Sequence, residues 1–179
     1  MLIKTIFSGF GGQGVLSMGY TLANTAMHEG KYVTYLPSYG VEVRGGTANC
    51  TVVISDEEIA SPVASEPEFV VAMNQPSFVR FQSILQSGGL LLVNSSLVNT
   101  SSARGDIEII SVPTSELAEK LGQIKVANMV MLGAFIKATS IVSFDFLIDH
   151  LAEILGEGKS KLIQLNKDAL ETGYNFIKE

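Results

Sequence analysis

The stretch Gly9-Phe10-Gly11-Gly12-Gln13-Gly14 has the G-x-G-x-x-G spacing. It follows an apolar run, Leu2–Ser8, and precedes one with helical periodicity, Gln13–His28. Glycines let the backbone turn sharply and come close to a ligand. The unpaired N–H groups and the dipole at the start of a helix then favour an anion. Three readings of this loop follow: a phosphate-bearing ligand, a segment of a partner chain, or a tight strand-to-helix turn that needs no ligand.

A second segment, Pro37-Ser38-Tyr39-Gly40-Val41-Glu42-Val43-Arg44-Gly45-Gly46-Thr47, also carries unusual chemistry. In a doubly wound fold it leaves the C-terminal end of the second strand, beside the glycine loop. Arg is scarce, with three in the chain, and Arg44 is one of them. A planar guanidinium suits a phosphate or a carboxylate. Equally, Glu42 and Arg44 can pair with each other and shape the loop. A dinucleotide site of the Rossmann type carries Asp or Glu at the end of its second strand. Here that strand reads Tyr32-Val33-Thr34-Tyr35-Leu36, and no carboxylate follows until Glu42. The sequence thus argues against NAD and against a free-standing dehydrogenase.

Other reactive groups are sparse. One cysteine, Cys50, allows no intrachain disulfide and no four-cysteine iron–sulfur cluster. The two histidines, His28 and His150, lie far apart in the sequence and outside any metal-ligand spacing. Both read as surface helix residues, and Cys50 as a small buried strand residue. No nucleophile elbow, P-loop or Ser/His/Asp order is present. The expectation is a chain without catalytic residues or a metal of its own.

These loops need strands and helices to hold them. The chain has 179 residues and a formal charge of −6, with 46% hydrophobic and 17% charged residues. That length suits a single domain over residues 1–179. The acidic balance makes nucleic acid a poor partner. The apolar excess excludes disorder and suggests a surface covered by other chains. No apolar run reaches the roughly 20 residues of a membrane span. The N-terminal run is too short for a signal peptide, so a cytoplasmic protein is expected.

Strands are expected at Leu2–Ser8, Tyr32–Leu36 (stopped by Pro37), Thr47–Ile54, Phe69–Met73, Leu90–Val93 and Ile107–Val112. Pro76 should open a helix reaching about Leu85. After Pro113 the pattern becomes helical. A helix from Val126 to Ala138 is apolar nearly all round and should be buried. Ser143 can cap the next helix, and Leu162, Leu165, Ala169 and Phe176 should mark one face of the last. The sum is an α/β three-layer, Rossmann-like fold, with a largely parallel or mixed sheet and a helical C-terminal third. The order of the middle strands is not readable.

Taken together, Gly9–Gly14 and Tyr35-Leu-Pro-Ser-Tyr-Gly-Val-Glu-Val-Arg-Gly-Gly-Thr-Ala-Asn49 resemble the gamma subunit of 2-oxoacid:ferredoxin oxidoreductases, most of all the 2-oxoglutarate branch. The likeness continues through Val53–Pro62 and Met73-Asn-Gln-Pro76. The resemblance implies an enzyme that turns a 2-oxoacid, coenzyme A and oxidised ferredoxin into acyl-CoA, CO2 and reduced ferredoxin. It implies alpha, beta and ferredoxin-like delta partner subunits. Thiamine diphosphate, Mg and [4Fe–4S] clusters would sit on those partners, because this chain lacks cluster cysteines and a Gly-Asp-Gly…Asn thiamine signature. It also implies a shared coenzyme A site, held here by Gly11, Gly12, Gln13 and Gly14, with Tyr39 and Arg44 alongside. A purely structural subunit of the same assembly is the alternative.

Overall fold

A computed structural model describes residues 1–39, 47–156 and 160–178. Six strands form one sheet: β1 (Leu2–Phe10), β2 (Tyr32–Tyr39), β3 (Thr47–Ser55), β4 (Phe69–Ala72), β5 (Leu90–Asn94) and β6 (Glu108–Val112). Their spatial order is β2-β3-β1-β4-β5-β6. β3 runs antiparallel to both of its neighbours, while β1, β4, β5 and β6 are parallel. The sheet is therefore mixed. The β1–helix–β2 unit expected at the start is opened by β3, which inserts between its two strands.

Six helices complete the fold: α1 (Val15–His28), α2 (Gln75–Gln82), α3 (Thr114–Lys120), α4 (Ala127–Thr139), α5 (Phe144–Leu155) and α6 (Ser160–Phe176). A short 3-10 turn, Ile124–Val126, joins α3 to α4. Alternate strand residues face opposite ways. Phe7, Cys50, Val52, Val71 and Leu92 meet α1 and the C-terminal helices in one core. Ile6, Val70, Ala72, Leu91 and Val93 meet α2 in a second. The layers are unequal: five helices cover one face and the eight-residue α2 covers part of the other.

Most expected elements form close to their anticipated limits. β2 is an exception, because it continues through Pro37 to Tyr39. It is an edge strand, where the missing N–H of proline is tolerated. α4 is buried along Ala127–Ile136, as its all-round apolar sequence requires. Ser143 caps α5 by accepting a hydrogen bond from Phe146 N at 3.2 Å.

The last helix buries the middle of its expected face, with Leu165 packed on the core and Ala169 inside it, but not its ends. Leu162 and Phe176 are 48% and 40% exposed, whereas Ala169 and Leu170 are buried. The buried line continues through Gly173, where a Cβ would collide with the Val130 carbonyl. Reciprocally, a Cβ on Gly133 would strike the Leu170 backbone. Two small residues, rather than a stripe of large ones, set the α4–α6 contact. No helix among the described residues is long and apolar enough to cross a membrane.

Candidate functional site

β1 and β4 are parallel neighbours, but their following helices leave to opposite faces of the sheet. Where this happens, a crevice opens at the carboxyl ends of the two strands. In open α/β sheets that is the place for a ligand. The glycine loop sits there, between β1 and α1.

Phe10 O accepts a hydrogen bond from Gln13 N at 3.1 Å, closing a turn over Gly11 and Gly12. Both glycines are exposed, and a Cβ on either would meet nothing within 4 Å. Gly12 has φ +97°, which an L side chain adopts only with strain, and Gly11 is free of that constraint. The loop thus presents open backbone to the crevice. α1 begins with no side-chain cap and no acidic residue in its first turn. Its N-terminus remains suited to an anion.

The other two motif glycines serve packing. A Cβ on Gly9 would press on Gln13 Oε1 and Val15. Gly14, at φ +73°, lies against the Asn128 side chain of α4.

Gln13 has an internal task. Its Oε1 accepts hydrogen bonds from Phe10 N at 2.7 Å and Asn74 Nδ2 at 3.0 Å. Its Nε2 donates to Met73 O at 3.1 Å. Asn74 is 2% exposed and caps α2 through its Oδ1, which accepts from Ser77 N at 2.9 Å. One chain of polar contacts therefore ties the glycine loop to the end of β4 and the start of α2, spanning the crevice floor.

A cavity of about 160 Å³ adjoins the loop, with Gly12, Gln13, Asn94, Leu97, Ile124 and Lys125 among its walls. Lys125 is exposed and makes no ion pair with another described residue. It is separated from the loop by more than a hundred residues, and neither motif nor composition marks it in the sequence. Asn74 falls within the stretch Met73-Asn-Gln-Pro76 that carries the family resemblance, but nothing in the sequence marks its contact with the loop.

Gly11, Gly12, Gln13 and Gly14 thus come together in one loop. Tyr39 ends β2 at the same level along the strands, since Tyr39 pairs with Ala48 and Ala48 with Gly9. β3 lies between them. Arg44 falls in residues 40–46, outside the described residues.

Cys50 is fully buried beneath α1, its Sγ 3.5 Å from Val15 O. Burial pushes its thiol up to about 12, so it stays protonated and unreactive. His28 packs edge-on to Phe146, and His150 stacks on the same ring at 3.9 Å. Neither faces the crevice, and among the described residues no three His, Cys, Asp or Glu could share a metal ion.

The fold and loop define a class: an α/β protein with a mixed sheet and a glycine-rich turn at its topological switch point. The family profile of the pyruvate ferredoxin/flavodoxin oxidoreductases matches residues 4–176, and the chain belongs to that family. It is 39% identical over 178 residues to ketoisovalerate oxidoreductase subunit VorA of Methanothermobacter thermautotrophicus. That match covers 99% of this chain but 37% of the relative's length. It is 34% identical over 175 residues to 2-oxoglutarate synthase subunit KorC of Methanocaldococcus jannaschii, covering 96% of this chain and 92% of that one.

Among solved structures, a keto/oxoacid ferredoxin oxidoreductase gamma subunit from Geobacter sulfurreducens superposes with a TM-score of 0.82 at 30% identity. It covers 97% of this chain and 96% of its own. A 2-oxoglutarate:ferredoxin oxidoreductase from Magnetococcus marinus, with 2-oxoglutarate, coenzyme A and succinyl-CoA bound, shares the fold. Its TM-score is 0.86 at 20% identity, over 99% of this chain and 32% of that one.

Proposed function

We propose that this chain is the gamma-type subunit of a 2-oxoacid:ferredoxin oxidoreductase and that its glycine loop binds part of coenzyme A. The assembly would convert a 2-oxoacid, coenzyme A and oxidised ferredoxin into acyl-CoA, CO2 and reduced ferredoxin. Its other members would be alpha, beta and ferredoxin-like delta chains. The observation that carries the ligand half of the reading is the open backbone at Gly11 and Gly12, set in the crevice before an uncapped helix. The Magnetococcus relative, which holds coenzyme A, supports it.

Oxidative decarboxylation in such an assembly is supplied by thiamine diphosphate and iron–sulfur clusters, which we assign to partner subunits. One buried cysteine cannot provide the four thiolates of a cluster. This chain's own part is to hold a phosphate against the loop and, through Gln13 and Asn74, to keep the loop rigid. For the 2-oxoacid we favour 2-oxoglutarate, on the likeness of the two loops to that branch. Ketoisovalerate relatives are as similar in sequence, and assay of both acids decides between them.

Reconstitution tests the subunit reading. The purified chain alone should not reduce a viologen dye with any 2-oxoacid, and mixing with the other subunits should restore the reaction. Turnover by the lone chain would contradict it. The internal bonds of Gln13 favour a second reading, in which the loop is a structural turn only. That reading predicts that saturating coenzyme A leaves the hydrogen exchange of residues 10–16 unchanged in the assembled enzyme.

A further inference from the structure

The cavity beside the glycine loop has a neighbour. A second cavity, of about 170 Å³, is lined by Ser17, Asn128, Met129, Leu162 and Asn166. Lys125 lines both. The two adjoin at the Lys125 side chain, and together they trace a groove from Gly12 past the 3-10 turn to α6. Among the described residues that line it, Lys125 is the one cation, and its far end has both aliphatic and amide side chains.

A small anion such as free phosphate would need only the first cavity. A groove with one cation in the middle and a partly apolar far end fits a longer ligand. Such a ligand is anionic near the loop and carries a flat or aliphatic part beyond. Leu162 supports this reading. It is 48% exposed, although it lies on a helix with buried positions available, and it borders the far cavity.

We infer that Lys125 is a phosphate-binding residue, and that the groove through it takes a nucleotide. The phosphates lie between Gly12 and Lys125, and the nucleoside lies against Leu162 and Asn166. This rests on the coenzyme A reading and adds to it a cation and a direction. The ammonium contributes a charge-assisted contact, which is stronger than a neutral hydrogen bond. The amide of Asn166 offers a donor and an acceptor to a base edge.

The test is calorimetric binding of coenzyme A and of inorganic pyrophosphate to the fully assembled enzyme. Lys125→Ala should weaken both by about tenfold or more, and Lys125→Arg should restore most of the loss. Leu162→Ser should weaken coenzyme A several-fold, roughly what loss of an apolar wall gives, and leave pyrophosphate unchanged. A Gly11→Val control separates the two levels of the argument. If Gly11→Val weakens coenzyme A while Lys125→Ala stays within about twofold, the Lys125 inference is overturned and the coenzyme A reading stands. If neither variant changes coenzyme A affinity, the reading itself fails. Loss of pyrophosphate binding in Leu162→Ser would overturn the proposed direction of the groove.

Discussion

The Asn128 side-chain amide donates to the Gly14 carbonyl at 3.2 Å, and a Cβ on Gly14 would run into that same side chain. The last glycine of the motif therefore seats the loop on α4, rather than exposing it to a ligand. The two glycines that a ligand can approach are Gly11 and Gly12.

Gly14→Ala should destabilise the chain without touching the ligand surface. A left-handed φ costs a non-glycine residue roughly 1–2 kcal/mol, and overpacking adds about 1–3 kcal/mol. A loss of at least about 2 kcal/mol corresponds to a fall in Tm of roughly 4–8 °C for a chain of this size. Adding Asn128→Ala removes the collision. The double variant should then be more stable than the sum of the single effects, and calorimetry of the four proteins measures this coupling. Strict additivity would show that Gly14 and Asn128 do not press on one another.

Gln13→Ala should loosen the crevice floor. It leaves Phe10 N, Asn74 Nδ2 and Met73 O without their partner. At about 0.5–1.5 kcal/mol per bond the expected loss is roughly 2–4 kcal/mol. Gln13→Glu keeps the acceptor for Phe10 and Asn74 but turns a second oxygen toward the Met73 carbonyl. It should recover part of the loss at neutral pH, and more as the pH falls and the new carboxyl protonates. Denaturant unfolding of both variants at pH 7 and pH 5 checks this, and an effect near zero for Gln13→Ala would remove the staple from the account.

Asp56 supplies a pH dependence of known sign. Lys31 Nζ, at 2.6 Å, is the main cause that holds its carboxyl at about 2, and the Met1 amino group at 2.7 Å adds to it. The folded value lies below the ordinary carboxylate value of 3.8. The stabilisation is therefore present above about pH 4 and fades as the pH falls toward about 2. Asp56→Asn should flatten the acid limb of a stability–pH curve in that window. Its effect at pH 7 should be small, because exposed pairs are weak and screened by salt. An unchanged acid limb would mean that the Lys31 pair does not form in solution.

Much of the fold was legible because local signals decide it. Apolar runs bounded by glycine and proline gave the strands, and the uniform apolarity of Ala127–Ile136 gave the buried helix. Long-range pairing was not legible. Nothing local tells Thr47–Ser55 to enter between β1 and β2, since its alternation fits either side of the sheet. Proline removes a donor and so marks a strand end at Pro37, yet β2 passes through it because an edge strand leaves that N–H unpaired. On α6 the expected face holds at Leu165 and Ala169 and fails at Leu162 and Phe176, because Gly173 and Gly133, which carry no apolar signal, set the closest approach. In the site, the glycine spacing was visible as a motif. Asn74, Asn128 and Lys125 were not, because they reach the loop only through tertiary contact.

The central claim is that the open backbone of this loop serves coenzyme A and not the 2-oxoacid. Gly11→Val tests it most directly, because position 11 carries no left-handed φ and has open space around it. The variant should therefore fold and assemble normally. In the assembled enzyme, with coenzyme A varied, its Michaelis constant for coenzyme A should rise by roughly tenfold or more, as expected if a phosphate is kept from the N–H groups. Single-turnover decarboxylation of the 2-oxoacid without coenzyme A should proceed at the wild-type rate. An unchanged coenzyme A constant, or a loss confined to decarboxylation, would contradict the claim.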